Sequence, residues 1–227
     1  MGTKRVAGQH ARAQARVLSK VEMWIGIGGV SALLVGWLLR VPSEALILFE
    51  LAAIAALVVV GRRVDRDFGR WLRGAEGEEA VGELLDGLAA DGWLVIHDVS
   101  FGRGNIDHVV IGPGGVFTVE TKSHAGRISL DRLDPKMVAQ AYAEKKSLET
   151  ITGIKVQALL VFSRAYLIGR VPAKRRGVTV VPAKMLPWFF SRRRPTMSPQ
   201  EAREIHDRLA PAVGQGVPVP SEPSIPA

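Results

Sequence analysis

Residues 105–122 have the sequence NIDHVVIGPGGVFTVETK. Two runs rich in β-branched and aromatic residues flank the tetrapeptide Gly-Pro-Gly-Gly at 112–115, which is a strong turn signal. The pattern predicts an antiparallel hairpin with strands at 106–111 and 116–122. If the four loop residues are 112–115, Ile111 pairs with Val116, and Asp107 then faces Glu120 across the hairpin.

Three charged side chains are predicted to share one face of this hairpin. Directly facing residues have Cβ atoms about 5 Å apart, and the two-residue alternation puts Lys122 on the same face as Glu120. Two facing carboxylates destabilise a hairpin, and a bound divalent cation would remove that penalty. The alternative is a surface hairpin in which Lys122 neutralises one acid through a salt bridge.

The chemistry of these residue types suits a metal centre. Carboxylate oxygens with open water positions are what Mg²⁺ or Mn²⁺ prefers. Such an ion can hold a phosphate oxygen and activate a water, while a nearby lysine stabilises developing negative charge.

A helix is predicted over Glu76–Leu88, ahead of the hairpin. Its apolar residues, including Val81 and Leu85, fall on one stripe, and Glu78 extends that stripe toward the core. An unpaired buried carboxylate is costly, so Glu78 needs a partner there. The alternative is an acid favoured at a helix start by the helix dipole.

The remaining patterns predict an α/β domain. A second helix is expected to begin at Asp134-Pro135, and a capping box at Ser198–Glu201 indicates a last helix that ends near Leu209. Further strands are expected at 93–99, 156–162 and 177–181.

The N-terminal third predicts a transmembrane helical hairpin over residues 23–61. Residues 23–39 carry no charge, residues 45–60 are interrupted only by Glu50, and basic side chains flank the pair on its outer sides. The positive-inside rule then places both termini and the following domain in the cytoplasm, at the cell (plasma) membrane. The alternatives are a cleaved signal peptide for the first run and a buried soluble hairpin. A two-helix anchor is also compatible with a homodimer.

Composition limits the kinds of chemistry. The chain has no cysteine, which excludes disulfides, a cysteine nucleophile and cysteine-based zinc or iron–sulfur sites. The formal net charge is +8, but most of it lies in the first 73 residues, so it is weak evidence for nucleic-acid binding by the rest. The predicted divisions are a basic cytoplasmic leader (1–22), the membrane hairpin (23–61), the α/β domain (74–210) and a disordered Pro-rich tail (211–227).

Two basic clusters leave alternatives open. Residues 174–176 and 192–194 could contact a phosphate backbone, form solvated loops or contact anionic lipid heads. The aromatic run at 188–190 beside the second cluster could stack on bases or pack in the core.

Four motifs together resemble the nuclease-related domain (NERD) family of the PD-(D/E)XK nuclease superfamily. They are Gly77-Glu78-x2-Val81, NIDH at 105–108, GGVF at 114–117 and VETK at 119–122, and the resemblance covers roughly residues 74–181. It implies a restriction-endonuclease-like α-β-β-β-α-β core with a mixed sheet. It also implies Mg²⁺- or Mn²⁺-dependent hydrolysis of nucleic acid, DNA rather than RNA.

The resemblance assigns roles to individual residues. Asp107 and Glu120 would be the main metal ligands, with the Thr121 carbonyl as a third. Lys122 would be the catalytic lysine, and Glu78 would reach the same site directly or through water.

Two further residues follow from the same pattern. Gln140, in an element similar to the family's Pro-x4-Gln, would meet substrate phosphate or a water, or would be a plain surface glutamine. His108 points away from Asp107 in a regular strand and is interpreted as structural.

The alternative function is a non-catalytic module that binds nucleic acid or a protein at the membrane, and a purely structural membrane protein is the third hypothesis.

Overall fold

The computed structural model describes residues 27–31, 34–38, 43–101 and 104–212. The chain divides into two compact units between Arg73 and Gly74. Helix α1, Ser43–Asp86, runs through the point of division. The predicted leader at 1–22 and nearly all of the predicted tail lie outside the described residues.

The predicted membrane hairpin lies in the unit that ends at Arg73. Much of its first run lies outside the described residues, and its second run lies within α1. Within the described ranges, none of the helices combines the length and the apolar character that crossing a bilayer requires.

The predicted helix at Glu76–Leu88 is not a separate element. It is the last part of α1, which ends at Asp86 and is followed by a short 3-10 helix, Gly87–Asp91. No proline interrupts the chain between residues 43 and 86, so nothing breaks the helical hydrogen-bond ladder ahead of Glu76.

A mixed six-stranded sheet forms the centre of the unit that begins at Gly74, which confirms the predicted α/β class. Strands β1 (Leu94–Phe101), β2 (Gly104–Gly112) and β3 (Gly115–Lys122) form an antiparallel meander. Strands β5 (Val156–Phe162) and β8 (Val178–Pro182) continue the sheet in parallel, and β7 (Ala173–Arg175) pairs antiparallel with β8. The sheet order is β1-β2-β3-β5-β8-β7.

The other elements follow the expected order along the chain. Helix α2 (Pro135–Thr152) connects β3 to β5, so the helix, three strands, helix and strand of the predicted core occur in sequence. Helix α3 spans Leu186–Ser191, and helix α4 spans Pro199–Leu209 and begins with the predicted capping box at Ser198. Strands β4 (Arg127–Ser129) and β6 (Tyr166–Ile168) form a separate parallel pair.

The predicted hairpin register is confirmed, with one difference at the turn. Ile111 pairs with Val116 as expected, but Gly112 also pairs with Gly115, so the loop has two residues rather than four. Gly115 has φ +108°, a conformation that glycine adopts without steric cost. The observed ladder ends at His108 with Val119, so the predicted facing pair Asp107 and Glu120 lies directly beyond its last pair.

Apolar layers cover both faces of the sheet. On one face the end of α1 and helix α3 pack on β3, through residues such as Val81, Leu85, Phe117 and Phe189. Helices α2 and α4 cover the other face. The polar residues described below lie where β3 ends at Lys122, beside the end of the parallel strand β5.

Candidate metal centre

Lys122 forms the middle of a hydrogen-bonded group at the end of β3. Its Nζ donates to Glu120 Oε1 at 2.6 Å and to Gln140 Oε1 at 2.9 Å. Gln140 Nε2 in turn donates to Glu144 Oε1 at 3.0 Å, one turn further along α2. The structure therefore brings the predicted residues Glu120, Lys122 and Gln140 together. Glu120 is buried, with 3% of its surface exposed.

Asp107 enters the same group from β2. The last pair of the β2–β3 ladder is His108 with Val119, and Asp107 follows directly, where its Oδ2 accepts a hydrogen bond of 2.7 Å from the Thr121 backbone N–H. Burial, and then the charges of Glu120 and Glu78, raise the pKa of the Asp107 carboxyl well above its ordinary value. The predicted carboxylates are therefore close enough to repel one another.

Glu78 reaches this end of the sheet from α1. Burial first, followed by the charges of Glu120 and Asp98, raises its pKa to about 7. The preceding glycine permits the approach, because a Cβ at Gly77 would lie 2.7 Å from both Ser123 Cβ and Ser163 Oγ. Gly77 thus sets how closely α1 can carry Glu78 to the strand ends.

Glu144 is a member of this group that the sequence did not reveal. Burial, and then the charge of Glu120, raise the pKa of the Glu144 carboxyl to about 10, and the two carboxyl groups lie within hydrogen-bonding reach of each other. The available signal was its position one helical turn after Gln140, on a helix expected to pass the site.

Asp98 on β1 is a second acid that was missed. It is 6% exposed, accepts a hydrogen bond of 2.6 Å from Asn105 Nδ2, and has φ +54° in the middle of a strand. Aspartate tolerates this left-handed conformation better than most residues, but a regular strand pattern gives no sign of it. Its charge contributes to the raised pKa of Glu78, so it lies near the centre.

His108 faces away from the carboxylates, into a separate polar pair. Its Nδ1 lies 2.8 Å from Nδ1 of His97, whose Nε2 lies 3.1 Å from Asp86 Oδ1. Burial, and then the neighbouring His97, lower the pKa of His108 to about 3, so it stays neutral. This arrangement agrees with the structural role predicted for His108.

The donor set fits an oxygen-binding cation held by few protein ligands. Within the described part of the chain, no group of three or more His, Asp or Glu side chains is already arranged to hold a metal ion. Among the same residues, however, the buried oxygens Glu120 Oε2 and Glu144 Oε2 have no hydrogen-bond partner. Mg²⁺ typically binds through one or two carboxylates and retains several waters, which matches oxygens left open in this way.

Some residues of the two basic clusters (174–176 and 192–194) and of the aromatic run (188–190) make contacts within the fold. Arg175 pairs with Asp131 at 3.1 Å, and Arg193 lies over the Phe189 ring at 4.0 Å. Phe189 and Phe190 are buried in the core, whereas Trp188 is 47% exposed. Core packing is therefore the outcome for two of the three aromatic residues.

Comparison with known proteins agrees with this geometry. Residues 73–163 match the nuclease-related domain family. The chain is 37% identical over 87 residues to an uncharacterised protein of Bacillus anthracis, a match that spans 36% of this chain and 41% of that relative. The chain thus spans less than half the length of the relative that it matches.

Two solved structures share weaker similarity. A repair endonuclease from Pyrococcus abyssi is 17% identical, with a TM-score of 0.27, over 50% of this chain and 42% of that chain. A protein from Vibrio cholerae is 12% identical, with a TM-score of 0.30, over 91% of this chain and 57% of that chain.

Proposed function

We propose that the unit beginning at Gly74 is a nuclease-like phosphodiesterase that depends on Mg²⁺ or Mn²⁺ and acts on nucleic acid, DNA rather than RNA. The observation that carries the proposal is the Lys122 ammonium, held 2.6 Å from the buried Glu120 carboxylate beside further acids. The family match at residues 73–163 supports nucleic acid as the substrate class.

Asp107 and Glu120 would hold the divalent cation, with the Thr121 carbonyl as the third ligand that the resemblance implies. The Thr121 N–H already fixes one oxygen of Asp107, at 2.7 Å, which orients that carboxylate. A bound cation of this kind supplies Lewis-acid stabilisation of a phosphoryl oxygen and makes a bound water more acidic.

Lys122 would stabilise negative charge on the phosphoryl group, and Gln140 would present its amide in a fixed orientation. The Lys122 ammonium is fixed by two acceptors, so its positive charge is available where negative charge develops on a phosphoryl group. Gln140 accepts from Lys122 and donates to Glu144, which leaves its amide in one orientation. Glu78, with a pKa of about 7, can exchange a proton near neutral pH.

Cleavage of plasmid DNA by the full-length chain tests the proposal. The assay compares wild type, Lys122→Ala and the matched control Lys146→Ala in Mg²⁺, Mn²⁺ or EDTA. Lys146 is an exposed lysine on α2 that pairs with Glu149 outside the centre. We expect metal-dependent cleavage by wild type and Lys146→Ala, and a loss of roughly a hundredfold or more in Lys122→Ala.

Equal background cleavage by wild type and Lys122→Ala would contradict the proposed phosphodiesterase activity. Saturable nucleic-acid binding that survives Lys122→Ala without cleavage would favour the non-catalytic binding module instead.

Membrane attachment through residues 23–61, the cytoplasmic placement of both termini and homodimer formation stay predictions from the sequence. Fractionation of cells that produce the full-length chain tests the first of them. Recovery in the membrane pellet after a high-salt wash is the expected result, and recovery in the supernatant contradicts it.

A further inference from the structure

Two carboxyl groups from different elements touch in the candidate metal centre. Glu120 belongs to β3 and Glu144 to α2, and their carboxyl groups lie within hydrogen-bonding reach of each other. Glu120 is 3% exposed, so bulk water does not separate the two groups. Two ionised carboxylates in contact repel each other, and either a proton on one of them or a cation between them removes that repulsion.

Each of the two carboxyl groups has one oxygen engaged and one oxygen open. Glu120 Oε1 accepts from Lys122 at 2.6 Å, and Glu144 Oε1 accepts from Gln140 at 3.0 Å. In the part of the chain that the structure describes, Glu120 Oε2 and Glu144 Oε2 are buried and no donor group of another residue reaches them, so what can join the two carboxyl groups is a shared proton or a cation. A buried polar atom of this kind normally has a partner in proteins.

The neighbouring Asp107 differs in this respect. Its Oδ2 accepts the 2.7 Å hydrogen bond from the Thr121 N–H, and neither of its oxygens is among the buried atoms that lack a partner. The open carboxyl oxygens of the centre therefore belong to a strand residue and to a residue of α2.

We propose that Glu144 is a further ligand of the divalent cation, which it binds together with Glu120. The inference rests on the proposed function and adds a ligand from α2 to the acids of the hairpin. The pair Lys122 and Gln140 would then have a second role, because each holds one oxygen of a ligand and leaves its other oxygen open for the ion. Two carboxylates with several waters are a common way to bind Mg²⁺ or Mn²⁺.

Direct Mn²⁺ binding to the full-length chain tests this assignment. The free Mn²⁺ signal in electron paramagnetic resonance gives the dissociation constant for wild type, Glu144→Gln and the control Glu149→Gln. Glu149 lies on the same helix but pairs with Lys145 and Lys146. We expect Glu149→Gln to bind as wild type does, and Glu144→Gln to bind at least about tenfold more weakly.

Thermal melts of the same proteins in EDTA separate loss of a ligand from loss of the fold. Glu144→Gln should melt at or above the wild-type temperature, because glutamine has the size of the protonated carboxyl and stays neutral beside Glu120 at every pH. Unchanged Mn²⁺ affinity in Glu144→Gln would overturn the inference and leave the proposed function standing. No Mn²⁺ binding by wild type would overturn both.

Discussion

At the scale of single residues, Lys122 compensates a buried acid. Its Nζ contacts Glu120 and Gln140, and its side chain is 20% exposed while that of Glu120 is 4% exposed. Loss of the ammonium leaves the carboxylate without its charged partner, which is expensive in a buried position.

We therefore expect Lys122→Met to lower the free energy of unfolding in EDTA by about 1 to 3 kcal/mol. Chemical denaturation measures the change. The control Lys146→Met removes an exposed ion pair and should change stability much less. Equal effects of the two substitutions would show that Lys122 does not compensate Glu120.

Glu144 gives the metal-free protein a pH dependence of defined sign. Its pKa rises from 4.5 to about 10 on folding, so between these values the folded chain binds a proton that the unfolded chain has released. This contribution to stability is fully present below about pH 4.5 and is lost as the pH rises toward 10.

The unfolding free energy in EDTA should consequently fall from pH 5 to pH 9 more steeply in wild type than in Glu144→Gln. Melts at several pH values measure the difference. Parallel curves for the two proteins would mean that Glu144 does not carry a raised pKa.

The sequence predicted those site residues whose placement depends on one hairpin. Alternation and the turn predicted Asp107, Glu120 and Lys122 on one face. The observed ladder has the predicted register up to its last pair, His108 with Val119, which adjoins Asp107 and Glu120. Glu144 and Asp98 depend on tertiary packing, namely the position of α2 over the sheet and a left-handed residue within β1. Single-sequence periodicity contains neither kind of information.

At the scale of elements, the close approach of α1 to the strand ends positions Glu78. Gly77 permits this approach, since a Cβ there would lie 2.7 Å from atoms of Ser123 and Ser163. Gly74, one turn earlier on the same helix, has open space around it. The two glycines form a matched pair for testing the contact.

Gly77→Ala should destabilise the chain by about 1 to 3 kcal/mol, because the helix must shift to admit the methyl group. Gly74→Ala should be neutral or stabilise by up to about 1 kcal/mol, since alanine is the better helix former. Denaturation of both variants measures these changes. Destabilisation of the same size at Gly74, where a Cβ meets no atom within 4 Å, would show that the contact with Ser123 and Ser163 does not explain the result at Gly77.

Element boundaries were predictable where strong local signals exist. The capping box at Ser198 and the Asp134-Pro135 start each coincide with an observed helix. The continuity of α1 was not predicted, because the change from apolar to mixed composition near Gly61 was interpreted as the end of an element. Short strands β4, β6 and β7 have only three residues each, too few for periodicity to show.

At the scale of the whole unit, acidic and basic regions lie at opposite ends of the sheet. A cleft of about 600 Å³ lies where β3 and β5 begin, and its lining includes Lys145, Lys155 and Lys174. The seven residue-to-residue steps from Gly115 to Lys122 span roughly 23 Å at about 3.3 Å per step. A nucleic acid that reaches both ends would therefore extend over several phosphates.

The proposed substrate is a polyanion, so these lysines should contribute to the salt dependence of binding. For duplex DNA in EDTA, the slope of log affinity against log salt is negative. The double variant Lys155→Gln, Lys174→Gln should make that slope less negative by about 2. Arg208→Gln, an exposed site on α4 outside the cleft lining, serves as the control. An unchanged slope in the double variant would exclude the cleft from the binding surface.

The central claim is that hairpin carboxylates form a divalent-cation site, and a thermal melt of the full-length chain with increasing Mn²⁺ tests it most directly. The melt compares wild type with Asp107→Asn and Glu120→Gln. A ligand that binds only the folded state raises the melting temperature as its concentration increases. We expect such a rise for wild type and little or none for either variant. An equal rise in all three proteins, or none in wild type, would contradict it.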